Sequence, residues 1–175
     1  RLSREDLLRL ALMSSENRAT HALCRRYPDG LPACVRAMND KAAALGMGTA
    51  RFVEPTGLSS RNVASPEDLA KLVLAASGNP LVREYSTAAS HVVLVNRQQL
   101  EYRNTNLLVG NPSWQVSVQK TGYISEAGRC LVMQAVIDGR QVVIVLLNSW
   151  GKLTRIADAK RIRTWMESMH PVEAI

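Results

Sequence analysis

"CLVMQAVIDGRQVVIVLL", residues 130–147, is the stretch on which the fold turns. Two aliphatic, β-branched runs, Cys130–Ile137 and Val142–Leu147, flank Asp138-Gly139. Such runs read as strands, and Asp-Gly between them is a strong hairpin signal, because that turn needs two residues at positive φ. The two strands are therefore antiparallel neighbours. Upstream, Trp114–Gln119, Leu100–Tyr102 and Val92–Val95 are further short β-rich segments separated by turn residues. Downstream of Gly151, a helix carries Ile156, Ala159, Ile162, Trp165 and Met166 on one face, and Pro171 closes it.

The N-terminal half has a helical texture. Ser3-Arg4-Glu5-Asp6 reads as a capping box, and Leu7, Leu8, Ala11 and Leu12 follow at helix spacing. Met13-Ser14-Ser15-Glu16-Asn17 breaks the pattern, so one helix ends there and a second runs from about Arg18 to Tyr27. A third runs from about Pro32 to Leu45, where Gly46 ends it. Arg51–Asn62, with Pro55 and Gly57, is loop-like. Ser65-Pro66-Glu67-Asp68 starts another helix that turns Leu69, Leu72 and Val73 inward and stops near Gly78-Asn79-Pro80. Helices first, a strand meander second and a closing helix make residues 1–175 one α+β unit with an antiparallel sheet.

Composition narrows the function classes. With 175 residues, 46% hydrophobic and 21% charged, the chain can bury one ordinary globular core; aromatics at 5% leave aliphatic residues to fill it. A net charge of +7 suits an anionic partner. The arginines are scattered, with no run of five or six basic residues, which argues against a nucleic-acid-binding surface. Val142–Leu147 is the longest apolar run, far short of a transmembrane segment. No Cys-x-x-Cys pair or His/Cys cluster occurs, so no metal site is expected. Cys24 and Cys34 flank the turn Pro28-Asp29-Gly30 and read either as a short-loop disulfide or as two buried small hydrophobes, with the second reading favoured. Cys130 reads as a core thiol. His21, His91 and His170 read as surface or helix-end residues, and Arg25, Arg26, Lys160, Arg161 and Arg163 as solvated helix sides.

Two polar segments remain: Ser15-Glu16-Asn17 at the helix break, and Lys120-Thr121-Gly122 at a strand end. Taken singly, Ser15 and Asn17 could cap a helix, and Lys120 could be a solvated strand terminus. In this order, with helices between them, they resemble the second and third motifs of the penicillin-recognising active-site serine enzymes. "LLRLALMSSENRA", "RFVEPTGLSS", "SPEDLAKL", "YRNTNLLV" and "QKTGYISEAGRCLVM" look like the low-molecular-mass D-alanyl-D-alanine peptidases. Within these they look most like the endopeptidase branch, the penicillin-binding protein 7 type. The resemblance covers nearly the whole chain.

One family element is absent. The Ser-x-x-Lys motif that holds the nucleophile should precede Ser15, on a helix where positions i and i+3 share a face. Two literal matches, Ser117–Lys120 and Ser149–Lys152, are decoys, the first on a strand and the second across Gly151. A chain opening at Arg1, one step before a helix cap, reads as the middle of a longer protein. The expected fold is thus β-lactamase/transpeptidase-like, lacking its N-terminal strands and nucleophile helix.

The resemblance implies acyl transfer to a serine followed by hydrolysis, with no cofactor and no metal. Ser15 would relay a proton, Asn17 would hold the substrate amide, and Lys120 would supply fixed positive charge. Thr121 would donate its hydroxyl to the substrate carboxylate, Gly122 would leave room along the strand edge, and the Tyr123 N–H would be one oxyanion donor. The Tyr123 ring reads as a rim contact. Asn104-Thr105-Asn106 reads either as a family segment near the cleft or as a polar turn. The implied partners are peptidoglycan stem peptides, β-lactams and the absent segment, in the periplasm. A D-alanyl-D-alanine carboxypeptidase and a non-catalytic wall-binding scaffold are the competing readings.

Overall fold

The computed structural model describes residues 1–169, so the expected roles of His170 and Pro171 fall outside it. The helix α1 (Arg4–Met13) opens on the expected capping box: Ser3 Oγ accepts from the Asp6 N–H at 2.9 Å and Asp6 Oδ2 accepts from the Ser3 N–H at 3.1 Å. After a break comes α2 (Asn17–Arg25), and then α3 (Gly30–Ala44), which starts before Pro32 because Asp29 and Gly30, at φ 61° and 77°, complete the reversal. At the far end of α3, Gly46 adopts φ 69°; its N–H bonds the Ala43 carbonyl at 2.9 Å while the Met47 N–H bonds Ala42 at 3.0 Å. This paired closure is the one a left-handed residue permits.

The Asp29-Gly30 reversal also decides the cysteines. It brings the Cα atoms of Cys24 and Cys34 to 5.5 Å, and the two are disulfide-bonded. That spacing lies at the preferred value for a bridge, so the reading of two unpaired buried thiols is corrected.

Helix α4 (Pro66–Ser77) starts on Ser65 as expected, with Ser65 Oγ accepting from the Asp68 N–H at 3.2 Å. A short helix, α5 (Pro80–Ser86), was not anticipated. Asn79-Pro80 read only as a stop, yet Asn79 Oδ1 accepts from the Leu81 and Val82 N–H groups at 3.0 and 3.2 Å and caps a new helix. Seven residues, about two turns, are too few to print a periodic stripe.

Strands β1 (Ser90–Val95) and β2 (Gln98–Arg103) form an antiparallel hairpin. Strands β3 (Gln115–Ile124), β4 (Gly128–Ile137) and β5 (Arg140–Ser149) form a second antiparallel sheet in the order β3-β4-β5. Asp138 and Gly139 sit at φ 51° and 70°, as the hairpin signal required. Strand β3 runs to Ile124, so Lys120-Thr121-Gly122 lies within the strand, not at its end; pairing of Tyr123 with Arg129 and Ile124 with Gly128 extends it. Among the described residues β5 pairs only with β4, which leaves its other edge open.

The closing helix α6 (Thr154–Met169) packs Ile156, Ala159, Ile162 and Met166 against Leu131, Met133, Ala135 and Ile137 of β4. Trp165 was expected on that face but is 61% exposed, lying past the edge of the stripe. Cys130 is half-buried on the opposite sheet face, because the strand alternation that buries Leu131 turns Cys130 away from the α6 core. A second cluster joins Leu10, Ala11 and Ala19 of α1 and α2 to Val93 of the hairpin. His91 is not a free surface residue. Its Nε2 lies 2.9 Å from Asp6 Oδ1, and this bond, ahead of one from Ser3, holds the Asp6 carboxyl below the usual range. Arg163 is likewise not merely solvated, since its guanidinium lies 5.3 Å from the Trp114 ring centroid and bonds Glu167 at 2.7 Å.

Replacing Cys24 and Cys34 by serine is expected to destabilise the fold by about 3 kcal/mol, the chain-entropy contribution of so short a closed loop. Denaturant midpoints without reductant measure it, and an unchanged midpoint would disprove the pairing.

Candidate active site

The helix break between α1 and α2 is built so that two polar side chains stay free. Glu16 caps α2, with Oε1 accepting from the Arg18 N–H at 3.0 Å. Ser14 closes α1 and donates to the Leu10 carbonyl at 2.8 Å. Ser15 and Asn17 are thus not the caps, and both line a cleft of about 620 Å³. Ser15 holds φ 58°, a conformation a non-glycine residue adopts at a cost of order 1 kcal/mol.

Lys120, Thr121, Gly122 and Tyr123 of β3 form the facing wall. Strand β3 is an edge strand, and its upstream half is covered where the Gln119 N–H donates to Ser86 Oγ at 3.4 Å. That bond directs the backbone groups of Gln119 away from β4. Strand alternation then directs those of Thr121 and Tyr123 to the same open edge. The Thr121 carbonyl bears this out, accepting from Lys120 Nζ at 2.6 Å and from Ser15 Oγ at 3.4 Å. A Cβ added at Gly122 would meet only Cys130 Cβ, at an ordinary 3.9 Å, so packing within the sheet does not demand the glycine. Tyr123 is 58% exposed, with the Arg129 guanidinium 4.4 Å from its ring centroid.

The electrostatics of the cleft are one-sided. Lys120 Nζ donates to Ser15 Oγ across the cleft floor. Burial, and then repulsion from Arg155, push the Lys120 ammonium down from 10.5 to about 8. Arg155, in the first turn of α6, is only 9% exposed; its Nη1 donates to the Cys130 carbonyl at 3.3 Å, and its buried Nε has no partner. Burial, then Arg129, lower its own pKa. Glu54 is the one carboxylate among the described lining residues, and it is saturated: it accepts from the N–H groups of Thr56, Gly57 and Ser59 at 2.6, 2.7 and 3.2 Å, and from Asn62 Nδ2 at 2.7 Å. Burial raises the Glu54 pKa, but these bonds outweigh it and leave the carboxyl below its usual range. The arrangement suits an anionic ligand beside a polarised hydroxyl, and among the described residues it leaves no free carboxylate to act as a base.

Thr105 also lines the cleft, its Oγ1 2.6 Å from Thr121 Oγ1, so the Asn104-Thr105-Asn106 segment borders the cleft through Thr105. Sequence reasoning missed Arg155. The available signal was an arginine in the first turn of a helix, where the helix dipole disfavours a cation and some other demand must place it. The Ser117–Lys120 decoy lies on β3, in extended backbone.

With this geometry in view, the comparisons with known proteins are consistent. Over residues 1–151 the chain matches the peptidase S11 family, D-alanyl-D-alanine carboxypeptidase, and it belongs to that family. It is 47% identical over 169 residues to D-alanyl-D-alanine endopeptidases of Escherichia coli (strain K12) and of Pseudomonas aeruginosa, covering 95% of this chain and 54% of each relative. The chain thus spans about half the length of these curated relatives. Its fold is that of the penicillin-binding DD-peptidases: Penicillin-Binding Protein D2 of Listeria monocytogenes, solved with cefotaxime bound, superposes with a TM-score of 0.80 at 27% identity, over 92% of this chain and 65% of that one.

Lys120 should titrate near pH 8 in the folded chain, against 10.5 when unfolded. Between those values the unfolded state binds more protons, so stability should rise with pH from about 8 to 10.5. Lys120→Met should flatten that part of the stability profile, and a slope unchanged in the variant would show that another group titrates.

Proposed function

We propose that these residues form part of a periplasmic serine DD-peptidase, a D-alanyl-D-alanine endopeptidase. It would open peptide cross-links of peptidoglycan through an acyl-serine intermediate and would be acylated by β-lactams. The observation that carries this reading is the Lys120 ammonium donating to the Ser15 hydroxyl in a cleft whose only described carboxylate is already saturated. The endopeptidase relatives favour a cross-link as substrate, the cefotaxime-bound relative favours β-lactam acylation, and the disulfide favours an oxidising compartment.

In this reading the nucleophile lies on a segment outside the 175 residues. An amphipathic helix bearing Ser-x-x-Lys fits the cleft, whose walls set the apolar Met38, Phe52, Leu69 and Leu72 beside the polar Ser15 and Lys120. Strands preceding that helix fit the open edge of β5.

The substrate peptide lies along the open edge of β3, where backbone groups supply hydrogen bonds without regard to side chain. Its carboxylate is held by Thr121 Oγ1 and by the charge of Lys120 and Arg155, while Asn17 orients the amide. The nucleophile oxygen gives its proton to the lysine of Ser-x-x-Lys as it bonds to the D-alanyl carbonyl carbon, and the carbonyl oxygen takes up charge at the Tyr123 N–H. The C–N bond then breaks, with the amine nitrogen receiving its proton through Ser15 Oγ. Water next adds to the acyl ester, which breaks and returns the serine. Positive charge near Ser15 makes its hydroxyl a better proton donor.

A fluorescent penicillin is expected to label the full-length parent covalently and to leave this 175-residue chain unlabelled. A folded parent that stays unlabelled would instead support the scaffold reading. Cross-linked muropeptide dimers should be cleaved faster than a pentapeptide ending in D-alanyl-D-alanine, and the reverse ranking would identify a carboxypeptidase. Arg155→Gln should raise KM for carboxylate-bearing substrates about tenfold or more, as loss of a charge-assisted hydrogen bond requires.

A further inference from the structure

Thr105 joins the two halves of the site. Its backbone N–H donates to the Met13 carbonyl at 3.2 Å, and its Oγ1 donates to the same carbonyl at 3.3 Å. Met13 is the last residue of α1, so its carbonyl has no partner within the helix. Two residues further on stands Ser15. On its other side, Thr105 Oγ1 meets Thr121 Oγ1 at 2.6 Å. One threonine therefore touches both the strand segment that holds Lys120 and the helix end that presents Ser15.

Its position is fixed from both flanks. Asn104 Nδ2 donates to the Ser86 and Ala88 carbonyls, each at 2.8 Å, and Asn104 Oδ1 accepts from Gln119 Nε2 at 3.1 Å. Asn106 is buried, and its Oδ1 accepts from the Leu108 N–H at 3.1 Å. The flanking side chains are thus committed to holding the loop, and the Thr105 hydroxyl is left as the group that faces Thr121.

We propose that Thr105 is a positioning residue for the reaction, a hydroxyl relay that sets which way the Thr121 proton points. This rests on the DD-peptidase reading above. Two hydroxyl protons are shared among three acceptors: the Met13 carbonyl, the two threonine oxygens taken together, and the cleft. In the empty cleft the Thr105 proton lies on the Met13 carbonyl and the Thr121 proton on Thr105 Oγ1. When an anion enters, the Thr121 proton turns to it, and the Thr105 proton turns from Met13 to Thr121 Oγ1. The exchange gives up only the 3.3 Å bond, because the Met13 carbonyl keeps the Thr105 N–H at 3.2 Å. It gains a charge-assisted bond to the ligand, strengthened because the donor oxygen is itself accepting a proton. No covalent bond forms or breaks, and no proton leaves its oxygen.

The test uses the full-length parent and the rate of acylation by a fluorescent penicillin, whose carboxylate is the anion. Thr105→Val is expected to slow acylation about tenfold through weaker pre-covalent binding, the loss one oriented hydrogen bond supplies. Thr105→Ser, which keeps the hydroxyl, should restore most of the rate. In a Thr121→Val background, where there is no proton to direct, adding Thr105→Val should slow acylation no further. The proposal is overturned if Thr105→Val labels at the parental rate. It is equally overturned if Ser and Val variants lose the same amount, or if the two losses multiply in the double variant; these outcomes would mark Thr105 as loop scaffolding. Thermal midpoints of all variants identify any whose loss is simply unfolding, and for such a variant the Ser comparison decides. A parent that labels while its Thr105→Val variant is unimpaired overturns this proposal alone. A parent that does not label overturns the peptidase reading and this one with it.

Discussion

An ammonium group held in a cleft with no free carboxylate among the described residues is the constraint on which the rest of the site depends. Lys120 cannot be neutralised by an ion pair, so it is stabilised by hydroxyl and carbonyl oxygens, Ser15 Oγ and the Thr121 carbonyl. Both acceptors must be brought to it from different parts of the chain, 105 residues apart in the case of Ser15. The left-handed backbone at Ser15, the edge position of β3 and the saturation of Glu54 by its own loop all serve that requirement. Arg155 adds a second cation whose proximity lowers the ammonium pKa further. The result is an environment short of negative charge, and a carboxylate-bearing ligand is the species that would relieve it.

The described residues form two apolar clusters, one between the β3-β4-β5 sheet and α6, the other among α1, α2 and the β1-β2 hairpin. A polar network of Ser86, Asn104, Asn106 and Gln119 links α5, the segment after β2 and β3. Most of its hydrogen bonds end on backbone groups, among them the carbonyls of Ser86, at the end of α5, and Ala88 and the N–H of Leu108. The network therefore holds α5, β3 and the segment after β2 to one another.

Much of this was legible in the residues. The Asp138-Gly139 hairpin, the caps at Ser3 and Ser65 and the Gly46 terminator are local events with local signatures, and each fell where the chain announced it. Seven-residue α5 left too short a pattern, and the extension of β3 through Ile124 depended on a partner strand. The cysteine pairing turned on a reversal whose tightness comes from two positive-φ residues, which spacing alone does not reveal. Of the cleft lining, Ser15, Asn17 and the Lys120-Thr121-Gly122 segment were legible because short motifs carry them. Arg155 was not, because it is isolated in sequence and acquires its meaning only when α6 folds back over β4. Trp165 and Cys130 misled for the opposite reason: each stands next to a periodic apolar pattern without belonging to it.

The open edge of β5 bears on how the chain behaves by itself. Ten residues, Arg140–Ser149, carry a row of backbone donors and acceptors along that edge, and their side chains are largely aliphatic through Leu147. A bulge at Leu147-Asn148 breaks the register near the strand's end, but no proline or charged residue interrupts Val142–Leu146, and these are among the devices by which sheet edges avoid one another. Expressed alone, these residues would meet one another edge to edge, and their hazard in solution is ordered self-association through strand addition. A strand added in cis would thus do more than complete the sheet: it would also act as a built-in guard against aggregation.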